Sequence, residues 1–191
     1  MEPRIVLASA SPRRARILAD LGVPFRVRVA NVDETLLEGE EGAAAAERLA
    51  RAKATSVARS ETLPVLAADT LVVCDGHTLG KPAAPAEAVA MLRALAGRTH
   101  EVVTGVCLVA GSGARSGLER TAVAFAPMTP AEIEWYVATG EPMGKAGGYH
   151  IDGRGALFVA SISGSPSNVA GLPVRLVLRL AREAGLDLGP S

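Results

Sequence analysis

The sequence predicts an α/β protein built on an elongated, twisted mixed sheet that is flanked by helices. Short apolar runs alternate with longer stretches that begin or end with helix-capping residues. Several predicted strands follow one another with only a turn between them, which indicates antiparallel pairs within the sheet. The first strand is not followed by Gly-x-Gly-x-x-Gly, so a doubly wound dinucleotide-binding fold is not expected.

The first two elements meet at a tight turn. The apolar run Arg4–Ala8 is typical of a short buried strand. Ser11 is a favourable N-cap, and Pro12 suits the first helical position because its missing N–H is not needed there. A helix is therefore predicted over Arg13–Leu21, ending before Gly22.

The next elements predict a helix between two strands and then a hairpin. Phe25–Val29 alternates polar and apolar residues like a strand, and the alanine-rich Gly42–Ser60 predicts a long helix. Val65–Val73 is typical of a buried strand. Asp75-Gly76 is a two-residue hairpin signal that returns the chain through His77–Leu79.

The second half of the chain contains a clear helix start. Thr129 and Glu132 form a capping box around Pro130, which predicts a helix that continues to Thr139. The remaining predicted elements are the helices Pro85–Ala96 and Pro173–Ala184 and the strands His100–Ala110, Gly117–Phe125 and Leu157–Ile162.

Length and composition limit the function classes. A chain of 191 residues suffices for one domain, residues 1–191, which we expect to form two lobes around a central cleft. The 20 basic and 20 acidic residues cancel, and aromatic residues are only 3%, so a nucleic-acid coat or a stacking platform is not expected. Cys74 and Cys107 are predicted to be buried, reduced thiols. No long apolar segment or signal-peptide pattern is present, so the cytoplasm is the expected location.

Two arginines occupy the first turn of the first predicted helix. A helix N-terminus already carries partial positive charge, so cations there favour an anion that neutralises them. The hydroxyls of Ser9 and Ser11, free backbone N–H groups, and the guanidiniums of Arg13 and Arg14 together are typical of a phosphate site. An isolated Arg-Arg pair more often binds surface carboxylates, but the strand and tight turn before it favour the phosphate site.

Further charged residues stand at the ends of buried elements or on rigid loops. Asp69 and Thr70 interrupt an apolar run, where a carboxylate is costly unless it is paired, binds a metal or faces a cleft. Lys81 lies between Gly80 and Pro82, which indicates a rigid loop that presents its ammonium group. Taken alone, Asp69 is also compatible with an edge strand and Lys81 with an ordinary loop.

Other charged positions give weaker signals. Asp33-Glu34 follows the second strand, where adjacent carboxylates suit a divalent metal that keeps water ligands. Adjacent surface acids are also common. Lys53 lies in the middle of a helix, and periodicity alone favours a solvated lysine there.

A glycine-rich segment late in the chain also suits close approach to a ligand. Lys145–Tyr149 and Asp152–Gly155 contain glycines that let backbone come close to a bound group. The spacing before Lys145 does not fit a P-loop, and neither a serine-hydrolase elbow nor a zinc-protease motif occurs. The residues together indicate a basic, hydroxyl-lined site with carboxylates, suited to a small polyphosphate and a divalent metal.

The chain resembles the Maf (septum-formation-inhibitor-like) family of nucleoside triphosphate pyrophosphatases over nearly its whole length. Each motif is short, but their order and spacing together are specific. The motifs are Leu7-Ala-Ser-Ala-Ser-Pro-Arg-Arg14, Asp33-Glu34, Ala50-Arg-Ala-Lys-Ala54, Ala68-Asp-Thr70, Leu79-Gly-Lys-Pro82, Thr139-Gly-Glu-Pro142, Lys145-Ala-Gly147, Gly153-Arg-Gly-Ala-Leu-Phe158 and Gly171-Leu-Pro173.

The resemblance implies hydrolysis of a nucleoside triphosphate to the monophosphate and pyrophosphate, with Mg²⁺ or Mn²⁺ as cofactor. It also implies a fold related to that of inosine triphosphatases and a homodimer. The residues that it marks are catalytic candidates Asp69, Lys53, Lys81 and Glu34, metal-ligand candidates Glu34 and Asp69, and substrate-binding candidates Ser9, Ser11, Arg13, Arg14, Thr70, Lys145 and Asp152. Asp69 corresponds to the family's proposed proton acceptor. It also suits a metal ligand, and the sequence leaves both roles open.

The resemblance further bears on the nucleobase. Family members that prefer dTTP and UTP have an Arg, a Thr and a Gln at three base-reading positions; Arg13 and Thr70 match, but Asp152 replaces the Gln. An ionised Asp only accepts hydrogen bonds, whereas an amide also donates. We expect dTTP or UTP as substrate, with 7-methyl-GTP as the alternative because an acid occurs near this position in that branch. A third hypothesis, from another class, is a non-catalytic nucleotide-binding or nucleic-acid-binding protein of septum control.

Overall fold

A computed structural model describes residues 2–111 and 113–189 of the chain, and they form one mixed sheet with helices against it. The sheet has seven strands, in the order β2-β1-β3-β5-β6-β7, with β4 paired to β3. The strands are β1 (Ile5–Leu7), β2 (Phe25–Val27), β3 (Val65–Cys74), β4 (His77–Leu79), β5 (Thr99–Ala110), β6 (Gly113–Phe125) and β7 (Val159–Ser163). The predicted mixed sheet flanked by helices is confirmed.

Six α-helices and two short 3-10 helices are found in the described residues. The α-helices are α1 (Pro12–Asp20), α2 (Gly42–Ala58), α3 (Pro85–Leu95), α4 (Pro130–Ala138), α5 (Pro166–Val169) and α6 (Val174–Glu183), and the 3-10 helices are Ala146–Gly148 and Arg154–Phe158. None of the described helices is long and apolar enough to cross a bilayer.

Strands β1 and β2 run parallel to each other, and β1 runs parallel to β3, whereas the other pairs are antiparallel. The long central strands β3, β5 and β6 form the ladder of the sheet. Asp69 pairs with Gly105 in this ladder, and Thr70 pairs with Thr104. This register places a carboxylate and two hydroxyls in the middle of the sheet.

The two faces of the sheet are covered differently. On one face, the alanine side of α2 packs along the sheet, through residues such as Ala46, Ala50 and Ala54. On the other face there are two apolar clusters. One contains α1 and α6, and the other contains α3 and α4. Thr70 and Thr104 lie between these two clusters along their strands, so the polar middle of the sheet separates them.

Helix α2 lies unusually close to the sheet at one point. A Cβ atom on Gly105 would lie 2.3 Å from the carbonyl oxygen of Ala46. Only glycine therefore permits this approach of helix backbone to strand. Because Asp69 pairs with Gly105, the close approach also brings α2 towards the Asp69 carboxylate.

Most predicted elements are confirmed with ends shifted by a few residues, and the capping box of α4 is present with both of its hydrogen bonds. Three predictions were wrong in detail. Ser11 occupies the N-cap of α1 but makes no side-chain cap, and its backbone N–H instead donates to Ser9 Oγ. The predicted strand start at Leu157 is a 3-10 helix, and the segment Ser165-Pro-Ser-Asn168, which the sequence predicts as a hydroxyl-rich loop, contains the short helix α5. Cys74 and Cys107 are buried free thiols, as predicted.

Candidate active site

A cavity opens beside the middle of β3, where that strand lacks a neighbour. Strand β1 pairs with β3 only at Val65 and Leu66, and β4 pairs with it only from Val72 onward. Within the described residues, no strand pairs with the intervening edge of β3 on that side. A cavity of about 460 Å³ lies there, between the turn after β1 and the loop after β4. The edge of the sheet thus forms a wall of the cavity.

A buried lysine joins two carboxylates in the cavity wall. Lys53 Nζ lies 2.5 Å from Asp69 Oδ1 and 2.7 Å from Glu34 Oε2. The side chains of Lys53 and Asp69 are only 7% and 9% exposed, whereas that of Glu34 is 47% exposed. Periodicity favoured a solvated Lys53, and this is wrong because α2 turns that side chain towards the sheet beside Gly105. We call these three residues the ion-pair centre.

Arg14 is buried, and its guanidinium donates hydrogen bonds to three separate parts of the chain. Its Nε donates to the carbonyl oxygen of Gly171 over 2.7 Å, and its terminal nitrogens donate to Ser9 Oγ and Thr70 Oγ1 over 3.1 and 2.9 Å. Thr70 Oγ1 lies 2.9 Å from Thr104 Oγ1. Arg14 therefore fixes the turn after β1 against β3, and three of its five N–H groups have partners in the protein.

The cavity wall that includes Arg13 is cationic. Arg13, Lys145 and His150 line it. Burial lowers the pKa of Arg13, and Asp152 opposes this shift. Burial, followed by the charge of Arg13, lowers the pKa of Lys145. Burial, then Arg13 and Lys145, lower the pKa of His150, so its imidazole is neutral near pH 7. Arg13 and Lys145 repel each other, so this wall is suited to an anionic ligand that neutralises both charges.

Comparison with known proteins identifies the family. The family model described as Maf-like protein matches residues 4–184. The chain belongs to the Maf-like family. It is 52% identical to the dTTP/UTP pyrophosphatase of Moorella thermoacetica, with 97% of each chain covered. It is 45% identical to the dTTP/UTP pyrophosphatase of Deinococcus radiodurans, over 97% of this chain and 95% of the relative.

Solved structures overlap this Maf-like chain in part. The Ham1 protein of Staphylococcus aureus is 17% identical with a TM-score of 0.48, covering 64% of this chain and 71% of its own. A HAM1 protein of Coxiella burnetii is 21% identical with a TM-score of 0.47, covering 67% of this chain and 75% of its own.

The Maf-like fold brings most of the predicted site residues to one cavity. Those in its lining are Ser9, Ser11, Arg13, Arg14, Glu34, Lys53, Asp69, Thr70, Lys81 and Lys145. Asp152 is exposed and not in the lining, but it directly follows the lining residue Ile151, which places it at the rim. Asp33 does not share the site with Glu34, because its Oδ1 accepts from the N–H and hydroxyl of Thr35.

Sequence reasoning missed several residues of this Maf-like site. Thr104 bonds Thr70 from the neighbouring strand, and the carbonyl of Gly171 holds Arg14. Tyr149 and His150 line the cavity. The only sequence signal for Tyr149, His150 and Gly171 was their position in glycine-rich segments, and Thr104, within strand β5, had none. The contacts of Thr104 and Gly171 join residues far apart in the chain.

The donor set of the Maf-like site also limits how a metal is held. Among the described residues, no group of three or more His, Cys, Asp or Glu side chains is placed to bind a metal ion. Glu34 and Asp69 are close enough to share one cation, Lys53. Mg²⁺ is commonly held by one or two carboxylates together with phosphate oxygens and water. Two carboxylates fit a cation that the nucleotide helps to ligate, rather than a complete protein cage.

Proposed function

We propose that this protein hydrolyses a nucleoside triphosphate to the monophosphate and pyrophosphate in the cavity beside β3. One observation carries the proposal: a buried Lys53–Asp69 ion pair forms the wall of a cavity that is otherwise rich in cations. A triphosphate supplies the negative charge that this cavity lacks. The relatives named dTTP/UTP pyrophosphatase, which match nearly the whole chain, support this reaction.

Asp69 is proposed to accept the proton of the attacking water. Its Oδ1 is bound to Lys53, and within the described residues Oδ2 accepts no hydrogen bond. That oxygen is therefore available to a water molecule in the cavity. Lys53 keeps the carboxylate fixed in one orientation and adds positive charge where the phosphate would lie.

The proposed reaction exchanges one bond at the α-phosphorus for another. Water attacks the α-phosphorus, and its proton passes to Asp69. The bond between the α-phosphorus and the bridging oxygen breaks, so pyrophosphate leaves with that oxygen. Lys53, Lys81 and Lys145 line the cavity and would stabilise the negative charge on the transferred and departing phosphates.

We further propose that a divalent cation, Mg²⁺ or Mn²⁺, is held by Glu34 and Asp69 together with the nucleotide. When bound, such an ion supplies charge neutralisation to the leaving pyrophosphate. The two carboxylates converge on Lys53, which supports the assignment of both to one site. Asp69 Oδ1 is bound to Lys53, so a role as proton acceptor and a role as metal ligand would both use Oδ2.

The proposed nucleobases are thymine and uracil. The printed names of the relatives support this preference. Arg13 lines the cavity, and Asp152 acts on it from the rim. Arg13 is proposed to donate to the carbonyl oxygens of the pyrimidine, and Asp152 to accept its N3–H.

A nucleotide panel with both products identified tests the proposal. The protein is incubated with dTTP, UTP, 7-methyl-GTP and ATP in the presence of Mg²⁺ or Mn²⁺. We expect dTMP or UMP together with pyrophosphate. Orthophosphate with a diphosphate would instead make the protein a simple phosphatase, and tight binding without turnover would make it a binding protein. Preference for 7-methyl-GTP would overturn the pyrimidine assignment alone.

The Asp69→Asn variant separates catalysis from binding. It removes the proton acceptor but keeps the shape of the side chain, so kcat should fall by about 10³-fold, within the range for general-base catalysis. Nucleotide affinity should change by less than about tenfold, since the remaining cations persist. Asp20→Asn is the matched control, because Asp20 is an exposed partner of Arg16 on α1 and should leave kcat unchanged.

A further inference from the structure

The carboxylate of Glu141, which does not line the cavity, holds a loop that forms part of the rim of the cavity. Glu141 Oε1 accepts from the Tyr136 hydroxyl over 2.8 Å and from the N–H of Gly155 over 3.0 Å. Its Oε2 accepts from the N–H of Arg154 over 3.1 Å. The Tyr136 hydroxyl in turn accepts from the N–H of His150 over 3.0 Å. We call Glu141, Tyr136 and the loop of residues 150–155 the Glu141 clasp.

The clasp is closed tightly by two glycines. A Cβ atom on Gly153 would lie 2.6 Å from Glu141 Oε2, and one on Gly155 would lie 2.7 Å from the Tyr136 hydroxyl oxygen. Both distances are shorter than real Cβ contacts, so these glycines allow the loop backbone to close on Glu141 and Tyr136. The Gly-Arg-Gly sequence of this loop thus has a packing reason.

The protonation states suit this hydrogen-bond arrangement. Burial acts to raise the pKa of Glu141, but the N–H groups of Gly155 and Arg154 and the Tyr136 hydroxyl outweigh it and lower the pKa. Burial raises the pKa of Tyr136. At neutral pH the carboxylate is therefore ionised and the phenol is protonated, so each hydrogen bond in the clasp has one donor and one acceptor.

The loop that is clasped carries the groups around Arg13. His150 and Ile151 line the cavity, and Asp152 acts on Arg13 from the rim. The charges of Arg13, Lys145, Glu141 and Asp152 all act on His150. The charges of Asp69, Arg13 and Glu34 act on Arg14, so the two groups of charges are linked through Arg13. Within the described residues, the hydrogen bonds of the clasp reach the loop that carries His150 and none reaches the ion-pair centre. The clasp therefore holds the wall of Arg13 rather than the ion-pair centre.

We infer that Glu141 is a positioning residue that sets the nucleobase selectivity of the site by holding His150 and Asp152 beside Arg13. The inference rests on the proposed function, in which Arg13 and Asp152 contact the base and the ion-pair centre carries out hydrolysis. Neither Glu141 nor Tyr136 lines the cavity, so their effect on the nucleotide passes through the loop.

Steady-state kinetics of Glu141→Gln and Tyr136→Phe test the inference, with dTTP and 7-methyl-GTP as substrates and Mg²⁺ present. A Gln amide has one accepting oxygen and cannot serve all three donors, and Phe lacks the hydroxyl that binds His150. We expect the ratio of kcat/KM for dTTP to that for 7-methyl-GTP to fall about tenfold in each variant, as loss of one good hydrogen bond predicts. The change should lie in KM, with kcat at saturation kept within about threefold.

Glu132→Gln is the matched control, because Glu132 is also a carboxylate that holds backbone N–H at an end of α4. It accepts from the N–H and hydroxyl of Thr129, and within the described residues it makes no hydrogen bond to the clasped loop. This variant should lower the melting temperature and leave the selectivity ratio unchanged. Gly153→Ala is a second test of the clasp, since its Cβ would displace Glu141 without altering the carboxylate. It should reproduce the selectivity change of Glu141→Gln.

Three results would overturn the inference. An unchanged selectivity ratio in Glu141→Gln and Gly153→Ala would make the clasp purely structural. An equal rise in KM for both nucleotides would assign this wall to the phosphates instead of the base. A loss of kcat without a change of KM would place the clasp in the chemical step. Absence of pyrophosphate release by the unaltered protein would instead refute the proposed function, so the two failures are distinguishable.

Discussion

At the scale of single residues, the surroundings of Lys53 explain the chemistry proposed for the cavity. Two carboxylates converge on its ammonium, and α2 delivers it to the sheet face that carries Asp69. Removing a partner from a buried ion pair leaves the other charge without compensation. The pair is therefore a point where stability and catalysis depend on the same contact.

A double-mutant cycle on this pair gives the first prediction. Lys53→Met should lower the free energy of unfolding by about 3 kcal/mol, because Asp69 then stays buried without its cation. Asp69→Asn in the same chain should recover part of that loss, since the uncompensated charge is gone. Chemical denaturation of the wild type, both single variants and the double variant measures the coupling. Additive effects would contradict the ion pair.

His100 gives a second prediction, on pH and stability. It is buried against Phe125 and Tyr149, and burial lowers its pKa from 6.5 to about 4. The unfolded chain then binds a proton that the folded chain does not, at any pH between these two values. Stability attributable to His100 should therefore be complete above about pH 6.5 and fall by up to about 3 kcal/mol as the pH drops to 4.

The matched pair of variants for this prediction is His100→Gln and His77→Gln. His77 is exposed on β4, so its replacement should leave the pH dependence of unfolding unaltered. Replacement of His100 should flatten the slope between pH 6.5 and 4, because Gln does not titrate in that interval. An equal slope in wild type and His100→Gln would mean that other groups cause the acid destabilisation.

At the scale of elements, the close contact between α2 and β5 positions the catalytic group. The backbone of α2 fits against Gly105, whose ladder partner is Asp69. Helix α2 then presents Lys53 to that carboxylate. The sequence predicted both elements, but it did not indicate how near they approach, because a strand glycine is compatible with a bulge as well as with close packing.

Gly105→Ala should therefore damage both stability and the site. The added methyl group would overlap the Ala46 carbonyl, so α2 has to move, and the cost should be at least about 2 kcal/mol, as for overpacked cores. Gly80→Ala is the control for stability, because a Cβ there meets nothing within 4 Å. Melting temperatures of the two variants measure the difference. An equally stable Gly105→Ala variant would show that α2 is not held at this distance.

At the scale of the whole molecule, local patterns predicted most elements, and together with the family resemblance they predicted ten of the charged and polar residues that line the cavity. Strand periodicity, capping residues and hairpin turns are encoded by neighbouring residues, so the mixed sheet followed from them. The buried position of Lys53 and the hold of Gly171 on Arg14 were not predictable in this way. Arg14 and Gly171 are 157 positions apart, and only the fold brings them together. The expected homodimer, the cytoplasmic location and the two-lobed domain stay predictions.

The cavity's place at the gap between β1 and β4 is also a property of the whole sheet. Neither strand alone indicates it, since the gap depends on where each one stops pairing with β3. We expect water to attack the α-phosphorus of a nucleoside triphosphate bound in this gap.

The position of attack is measured by hydrolysis of dTTP in water enriched in oxygen-18, followed by mass spectrometry of both products. Attack at the α-phosphorus predicts the heavy isotope in dTMP and none in pyrophosphate, at a rate that Asp69→Asn lowers by about 10³-fold. Label in pyrophosphate, or release of labelled orthophosphate, would place the attack at another phosphorus and contradict the proposed reaction.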